Sequence, residues 1–557
     1  MRLAAILVLA GLVGTVAVGL AGTLLPAFGH LPAIGAHGPS LDAWSRLFAM
    51  PGLARSAATA LALGIAAAAL SLAIVLLVLA AFHGTRPFRL FVRLIGPLLS
   101  IPHAAAAFGL AFLLAPSGWF LRLLSPWATG FDRPPDFTLV NDPLGLALLA
   151  GLVAKEVPFL MLVALAVLPQ TAPAQAMEVA AGFGYGRMKG FLVAVGPRLL
   201  PRIRLPLLAV AAYASGSVDM ALILGPTGPP PLPVRVLRWF AEPDLTMRTI
   251  AAAGTVLQAL VTGIVALAVL ALEAAVRRRL AAAAISGRRR VEDRAARIAA
   301  GALACLPIAA IGLGAAALAL WSVATAWRFP AAWPEGWSLA TWTGLAPALA
   351  GPILTSAGLG LAAAAIALLA AIVLLAGAPP GSRASGPVAV LLFLPILVPE
   401  TSWLFGLDVA LSAAGLTPGP STVLIGHVAQ VVPYVHLSLA GPWAGLDRRL
   451  EPVAASLGAG PLRRLLAVRL PLLAGPLLTA AAVGFAVSIA LYLPTLVLGG
   501  GRVATITTET LALAGGADRR ITGATALVQA LLPFAGFALT GLAVRALALR
   551  RRQPVSA

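Results

Sequence analysis

A chain of 557 residues that is 60% hydrophobic and only 10% charged has too little polar surface to cover a soluble globule, so it is expected to live in lipid. Its net charge of +20 does not indicate nucleic-acid binding, because the basic residues sit in breaks between apolar runs and form no face on a soluble fold. No polar stretch is long enough for a soluble domain, which argues against an extramembrane catalytic module.

A bilayer core about 30 Å thick takes roughly 20 apolar residues of helix per crossing. The apolar run from Leu3 to about Leu25 is too long for the core of a signal peptide, and it is expected as an uncleaved signal-anchor with its N-terminus inside. Five further spans are expected near 53–82, 94–115, 143–168, 205–224 and 247–273. A second set follows near 298–324, 352–376, 387–410, 420–441, 472–497 and 521–545. The expected fold is all-α, with about twelve transmembrane helices.

Arginine places the loops. Arg2, then Arg86, Arg89 and Arg93, then Arg187, Lys189, Arg198, Arg202 and Arg204 fall in alternate connections, as the positive-inside bias expects of cytoplasmic segments. Arg277 to Arg279, Arg288 to Arg290, Arg294 and Arg297 make a basic linker over 277–297. It separates a first unit, 1–276, from a second, 298–557, and with Arg550 to Arg552 it puts both termini in the cytoplasm. The single cysteine, Cys305, lies in an apolar run and is expected as a small buried hydrophobe.

The two units match in residues as well as hydropathy. Leu41-Asp42-Ala43-Trp44 pairs with Leu339-Ala340-Thr341-Trp342, Ile101-Pro102-His103 with Val398-Pro399-Glu400, and Val157-Pro158-Phe159 with Val432-Pro433-Tyr434, in the same order. Units with an even number of spans enter the membrane in the same direction, so parallel repeats around a central pathway are expected.

The most specific signal follows the fourth span of each unit, over about 169–204 and about 442–470. In the first, Glu178, Ala180, Ala181 and Gly184 are followed, thirteen residues beyond the glycine, by Pro197 and then Leu200-Pro201. In the second, Glu451, Ala454, Ala455 and Gly458 are followed, again thirteen residues on, by Pro471. A short helix, a glycine suited to positive φ, a basic helix and a proline opening the next span would make a stiff projecting knob.

These residues resemble the EAA loop of ABC importer permeases. Glu178 and Gly184 keep that family's spacing, whereas the second copy departs from it, with Pro452 at the glutamate position and Glu451 one place earlier. The resemblance covers essentially the whole chain and implies a type I permease fold with two units fused in one polypeptide. It is similar to the fused permeases of thiamine and ferric-ion importers, and Tyr492-Leu493-Pro494-Thr495-Leu496 with Thr507-Thr508-Glu509 look most like the thiamine type. The resemblance implies an inner-membrane permease working with a separate ATPase subunit, used as a dimer, and with a periplasmic solute-binding protein. ATP and magnesium would then be bound by the ATPase and no cofactor by this chain. Consistently, Lys155 and Lys189 are the only lysines, and neither completes a phosphate-binding G-x-x-x-x-G-K-[ST] loop.

Ionisable groups at membrane depth are costly and mark pathways. Glu156, Gln430 and Glu400 are the candidate lining of a central passage, where packing between helices would explain the first two equally well. Lys155 and Glu156 are adjacent, hence about 100° apart on a helix, and cannot form a close pair on one face. Asp219 and Asp408 are expected to reach the outer interface. His427 and His436 flank Pro433, while His30, His37, His83 and His103 show no spacing or carboxylate neighbour suggesting a metal site. Pro226 to Pro233 form a stiff outer loop that could seat a binding protein, and Trp327, Trp333, Trp337 and Trp342 fit an interfacial aromatic belt.

Two other classes compete. A twelve-span gradient-driven carrier usually places an acidic and basic signature between its second and third spans, and His83 to Arg89 contains no acidic residue. A membrane-embedded enzyme would need converging nucleophile, base or metal ligands, which the scattered ionisable groups do not supply.

Overall fold

A computed structural model describes residues 2–287, 289, 293–378, 387–447 and 449–552. Among these residues the chain is helical almost throughout; its one sheet is a pair of two-residue strands, His30–Leu31 and Ala36–His37. Among the described residues nine helices are long and apolar enough to cross a membrane, and two bent helix pairs raise the number to eleven. The one expected segment left over, 205–224, begins within Gly196–Gly216, whose first half carries Arg198, Arg202 and Arg204 and so reads as less apolar. The protein is an all-α, multi-span membrane protein.

Several spans expected to be continuous are broken, three of them at a proline or within three residues of one and the fourth, at Ser217-Val218, away from any. The 94–115 run divides at Ile101-Pro102 into Arg86–Ser100 and His103–Leu114, and the 387–410 run turns by 87° at Val398-Pro399. Proline lacks an N–H and pushes its predecessor out of the α region, so each break leaves the next residue at a new helix N-terminus. The 205–224 segment breaks at Ser217-Val218, and 472–497 breaks at Leu491-Tyr492. Pro158 and Pro433, by contrast, sit inside the continuous helices Leu146–Val167 and Pro420–Ala444.

Segments paired by sequence share local geometry. Leu41 and Leu339 precede their helices with φ, ψ of −99°, 11° and −93°, 7°, and Ser40 and Ser338 each accept the N–H two residues on at 3.1 Å. Pro102 and Pro399 also share their conformation, at −58°, 150° and −52°, 135°.

Two crossings tie early and late parts of the chain together. Arg2–Ala27 packs along Glu400–Ala413, and Arg294–Val323 packs along His103–Leu114. Glycine makes both possible. A Cβ on Gly109 would lie 2.8 Å from the carbonyl carbon of Gly314, and one on Gly314 would lie 2.8 Å from that of Gly109; on the other crossing a Cβ on Gly22 would meet the Gly406 carbonyl, and one on Gly406 the Gly19 carbonyl. In lipid, where apolar burial drives no association, such backbone-to-backbone contact is a main source of helix adhesion.

Cys305 is exposed, not buried: it lies on the outward stripe of Arg294–Val323, beside the buried Ala304. Of the expected linker, 277–285 continues the helix Met247–Ile285 and 294–297 opens the next one, while Arg288 and Arg290 lie outside the described residues. The side chains of Arg550 to Arg552 lie outside them too.

Candidate functional site

The loops after the expected fourth and tenth spans have the same turn. Gly184 has φ 79° and Gly458 has φ 78°, in the left-handed region that glycine alone enters freely. Each closes its helix with the same two bonds: Gly184 N–H to Ala181 O and Tyr185 N–H to Ala180 O, then Gly458 N–H to Ala455 O and Ala459 N–H to Ala454 O. Two residues on, Gly186 and Gly460 open the next helix at φ, ψ of −64°, 161° and −66°, 167°.

Both knobs present a matched apolar pair. Val179 and Phe183 are 61% and 59% exposed, and their counterparts Val453 and Leu457 are 57% and 81% exposed. Residues four apart share a helix face, so each loop offers one apolar facet. Glu178 and Ala181 are exposed beside the first, whereas Ala180 is buried beneath it. Pro197 and Pro471 stand at the second residues of Gly196–Gly216 and Leu470–Leu472.

Their supports differ. The first knob is tied to neighbouring segments: Tyr185 donates to Ala284 O at 2.9 Å, Arg187 donates to the carbonyls of Ala81 and His83, and Met188 N–H reaches Asp293 at 3.4 Å. In the second, Glu451 pairs with Arg469, whose guanidinium lies 5.3 Å above the Trp443 ring. Glu451 therefore pins its own hairpin, while Glu178 lies exposed on the helix surface.

At mid-span the helix breaks meet. Gly216 approaches Pro399, and the residues that begin the new helices, His103, Asp219 and Glu400, gather with Glu156. His103 Nε2 is 3.6 Å from Glu156 Oε1, and its ring lies 4.5 Å from that of Tyr213. Asp219 accepts from Tyr213 at 3.2 Å and from Ser217 at 3.1 Å. Tyr213 is within electrostatic reach of Asp219, Glu156 and Glu400, Tyr434 of Glu156 and Glu400, and Tyr492 of Asp219. Gln430 turns toward Glu400. The structure thus brings Glu156, Gln430 and Glu400 to one level, and it adds His103, Asp219 and three tyrosines that periodicity did not single out.

Two expectations change here. Asp219 faces inward because the break at Ser217-Val218 redirects the chain, and His103 has a carboxylate neighbour because the Pro102 break carries it to Glu156. As expected, Lys155 and Glu156 diverge: the Lys155 ammonium donates to the carbonyls of Leu98 at 3.1 Å and Ile101 at 2.5 Å, at the helix end that the same break creates. Asp408 lies within reach of Arg248. His427 is buried between Ser488 at 2.8 Å and Thr495 at 2.9 Å, which is a packing role, and His436 is buried as well. His30 and His37, remote in pattern, are opposite partners in the small sheet.

The chain is 31% identical, over 211 residues, to the inner membrane ABC transporter permease protein YnjC of Escherichia coli (strain K12). The match takes in 38% of this chain and 39% of that relative, so it spans well under half the length of each. No family model matches the chain.

Sequence reasoning also missed an aromatic and arginine clasp. Arg122 is 3% exposed and donates to the carbonyls of Ser117, Arg328, Ala331 and Trp327 at 2.8–3.3 Å, with its guanidinium above Trp321, Trp327 and Phe329. Arg519 joins it through Ser117 and Trp321. Of the four tryptophans expected in an interfacial belt, Trp333 and Trp337 are exposed, but Trp327 is buried under Arg122 and Trp342 donates to Ser322. A lone arginine gives no periodic signal, and only the folded chain reveals four carbonyls pointing at it.

Proposed function

We propose that this chain is the membrane permease of a binding-protein-dependent ABC importer, made of two fused six-helix units around a central passage. The observation that carries the reading is the pair of knobs with one turn geometry and one matched apolar facet each. The similarity to a permease named as an inner membrane ABC transporter component supports it. A separate ATPase, present as a dimer, takes one knob in each subunit and supplies the ATP hydrolysis; a periplasmic binding protein delivers solute from the other side. Thiamine, a related compound or ferric ion is the cargo that the resemblance implies.

Mechanically, a stiff knob transmits a push only if its turn is rigid. Each knob leads directly into a helix that ends beside the acidic waist, Gly196–Gly216 in one case and Ala474–Ala490 in the other. Closure of the ATPase dimer draws the knobs together and swings those helices, and the breaks at Ser217 and Leu491 serve as the hinges. Glu156, Gln430 and Glu400 line the passage that opens.

The test is a pull-down of the solubilised chain from its native host, comparing wild type with Gly184→Val and Gly458→Val. Space does not oppose either change: only Arg289 Cδ comes as near as 4.0 Å to a Cβ at 184, and nothing lies within 4 Å at 458. The positive φ does, at about 1–2 kcal/mol for a side-chain-bearing residue. Membrane insertion should be intact, an ATPase carrying a phosphate-binding loop should be recovered with wild type and lost from the double variant, and uptake should fall. Wild-type uptake in both variants would defeat the coupling assignment, and a chain that purifies alone and still transports would be a gradient-driven carrier.

A further inference from the structure

The helix Arg86–Ser100 meets three environments on three faces. Phe88, Phe91, Ile95 and Leu98 are buried in the bundle. Arg86, Arg89 and Arg93, spaced i, i+3 and i+7, stand exposed on the opposite side. At about 100° per residue, Leu90 and Leu94 fall about 90° from that arginine stripe. They are 58% and 48% exposed. A surface that is cationic along one stripe and aliphatic along the next matches a molecule that is anionic at one end and aliphatic beyond it.

A second helix completes this corner. Leu53–Phe82 has 30 residues, about 45 Å of helix, so its end at Phe82 reaches a membrane surface. There a Cβ on Gly301 would lie 3.4 Å from the Phe82 ring. Arg86 comes one turn after Phe82 and Arg297 one turn before Gly301, so arginines of both helices arrive at the same surface beside one contact. Arg294–Val323 also packs on Arg86–Ser100, and it repeats the division of faces: Arg294 and Arg297 are exposed at its start, and Ile298 is 67% exposed beyond them. Arg187, at the same corner, is taken up by the carbonyls of Ala81 and His83. Among the described residues the other five guanidiniums have no carboxylate, carbonyl or ring to pair with. Like charges gathered at the edge of a low-dielectric layer repel one another until an anion sits among them. Guanidinium grips phosphate through two parallel N–H···O bonds.

We propose that this corner is a binding site for an anionic phospholipid, its phosphate held by Arg86, Arg89, Arg93 and Arg297 and its chains lying along Leu90, Leu94 and Ile298. The proposal needs only that the chain spans a membrane and does not rest on the importer reading. The bound lipid anchors the helix whose far end supplies the Leu98 carbonyl to Lys155, so it steadies the Pro102 break from outside the bundle.

Native mass spectrometry of the purified full chain, titrated with dioleoyl phosphatidylglycerol and with dioleoyl phosphatidylcholine, tests it, because the two lipids share their chains and differ in net charge. Phosphatidylglycerol should be retained saturably and about tenfold or more tighter, as several arginines at a charged lipid surface would give. The triple variant Arg86→Gln, Arg89→Gln, Arg93→Gln should lose that preference, and Arg86→Lys, Arg89→Lys, Arg93→Lys should keep part of it. Arg277→Gln, Arg278→Gln, Arg279→Gln removes the same charge from the helix Met247–Ile285 and should leave the preference intact. Inorganic phosphate in excess should not displace the lipid. Size-exclusion profiles matching wild type would show that the variants fold. Equal retention of the two lipids, equal loss in both glutamine triples, or displacement by inorganic phosphate would overturn the inference, the second by showing diffuse surface charge and the third by showing a site for the free anion. The ATPase pull-down reads none of these quantities, so the lipid site and the importer reading fail separately.

Discussion

Adding one methyl group at the glycine crossing is the sharpest probe of how the helices adhere. In Gly109→Ala the new Cβ would stand 2.8 Å from the Gly314 carbonyl carbon and 3.1 Å from its Cα and O. Carbon atoms are at their optimum near 3.5–4.0 Å, so the backbones must part by roughly 0.7 Å or more. Backbone cannot rotate aside as a side chain can, and overpacking of this kind costs about 1–3 kcal/mol. Gly314→Ala makes the reciprocal contact at 2.8 Å and should cost a similar amount. The double variant should cost less than the sum, because helices already parted for one methyl accommodate the second. Gly312 is the control: on the same helix, a Cβ there meets nothing within 4 Å, and Gly312→Ala should gain about 0.5–1 kcal/mol from helix propensity. Thermal unfolding in detergent, followed by tryptophan fluorescence, reads all four variants. If Gly109→Ala and Gly314→Ala melt at the same temperature as Gly312→Ala, close glycine packing does not hold this crossing.

Two other outcomes can be measured on the same preparation. Arg122→Ala strands the carbonyls it now satisfies and should lower stability by about 3 kcal/mol, with Arg122→Lys recovering only part because an ammonium lacks the planar fork; full recovery by lysine would show that charge alone suffices. Burial first, and Arg187 second, hold the His83 imidazole below its usual range. The unfolded chain therefore takes up the proton first, so the stability of this corner is complete above about pH 6.5 and declines as pH falls below it. Protection factors at 187–194, with the intrinsic exchange rate divided out, should fall between pH 7.5 and 5.5 in wild type and much less in His83→Asn; protection that does not change with pH would refute the linkage.

Much was legible before any coordinates. Residue pairs such as Pro102 with Pro399 and Gly184 with Gly458 share local conformation because proline and glycine act on φ and ψ within one or two residues of themselves. Span lengths, the loop turns and the divergence of Lys155 from Glu156 follow from the same short-range rules. What failed was of another kind. Straight spans were expected where apolar runs continue through Pro102 or Ser217-Val218, since hydropathy does not see a broken hydrogen-bond ladder. Asp219 and His103 were misplaced for that reason, and Cys305 was expected to be buried because an apolar run has the same composition whether its face meets protein or lipid.

The amino-acid sequence by itself determined that the chain belongs in a membrane, that it is all helical, and where its two glycine-turned knobs stand, all of which depend on composition and local backbone chemistry. Only the tertiary structure decided that His103, Glu156, Asp219, Glu400 and three tyrosines share one level, that Arg122 is gripped by four carbonyls, and that Gly109 touches Gly314. Those are contacts between residues tens to hundreds of positions apart, set by how helices cross and where they break, and no local pattern encodes them.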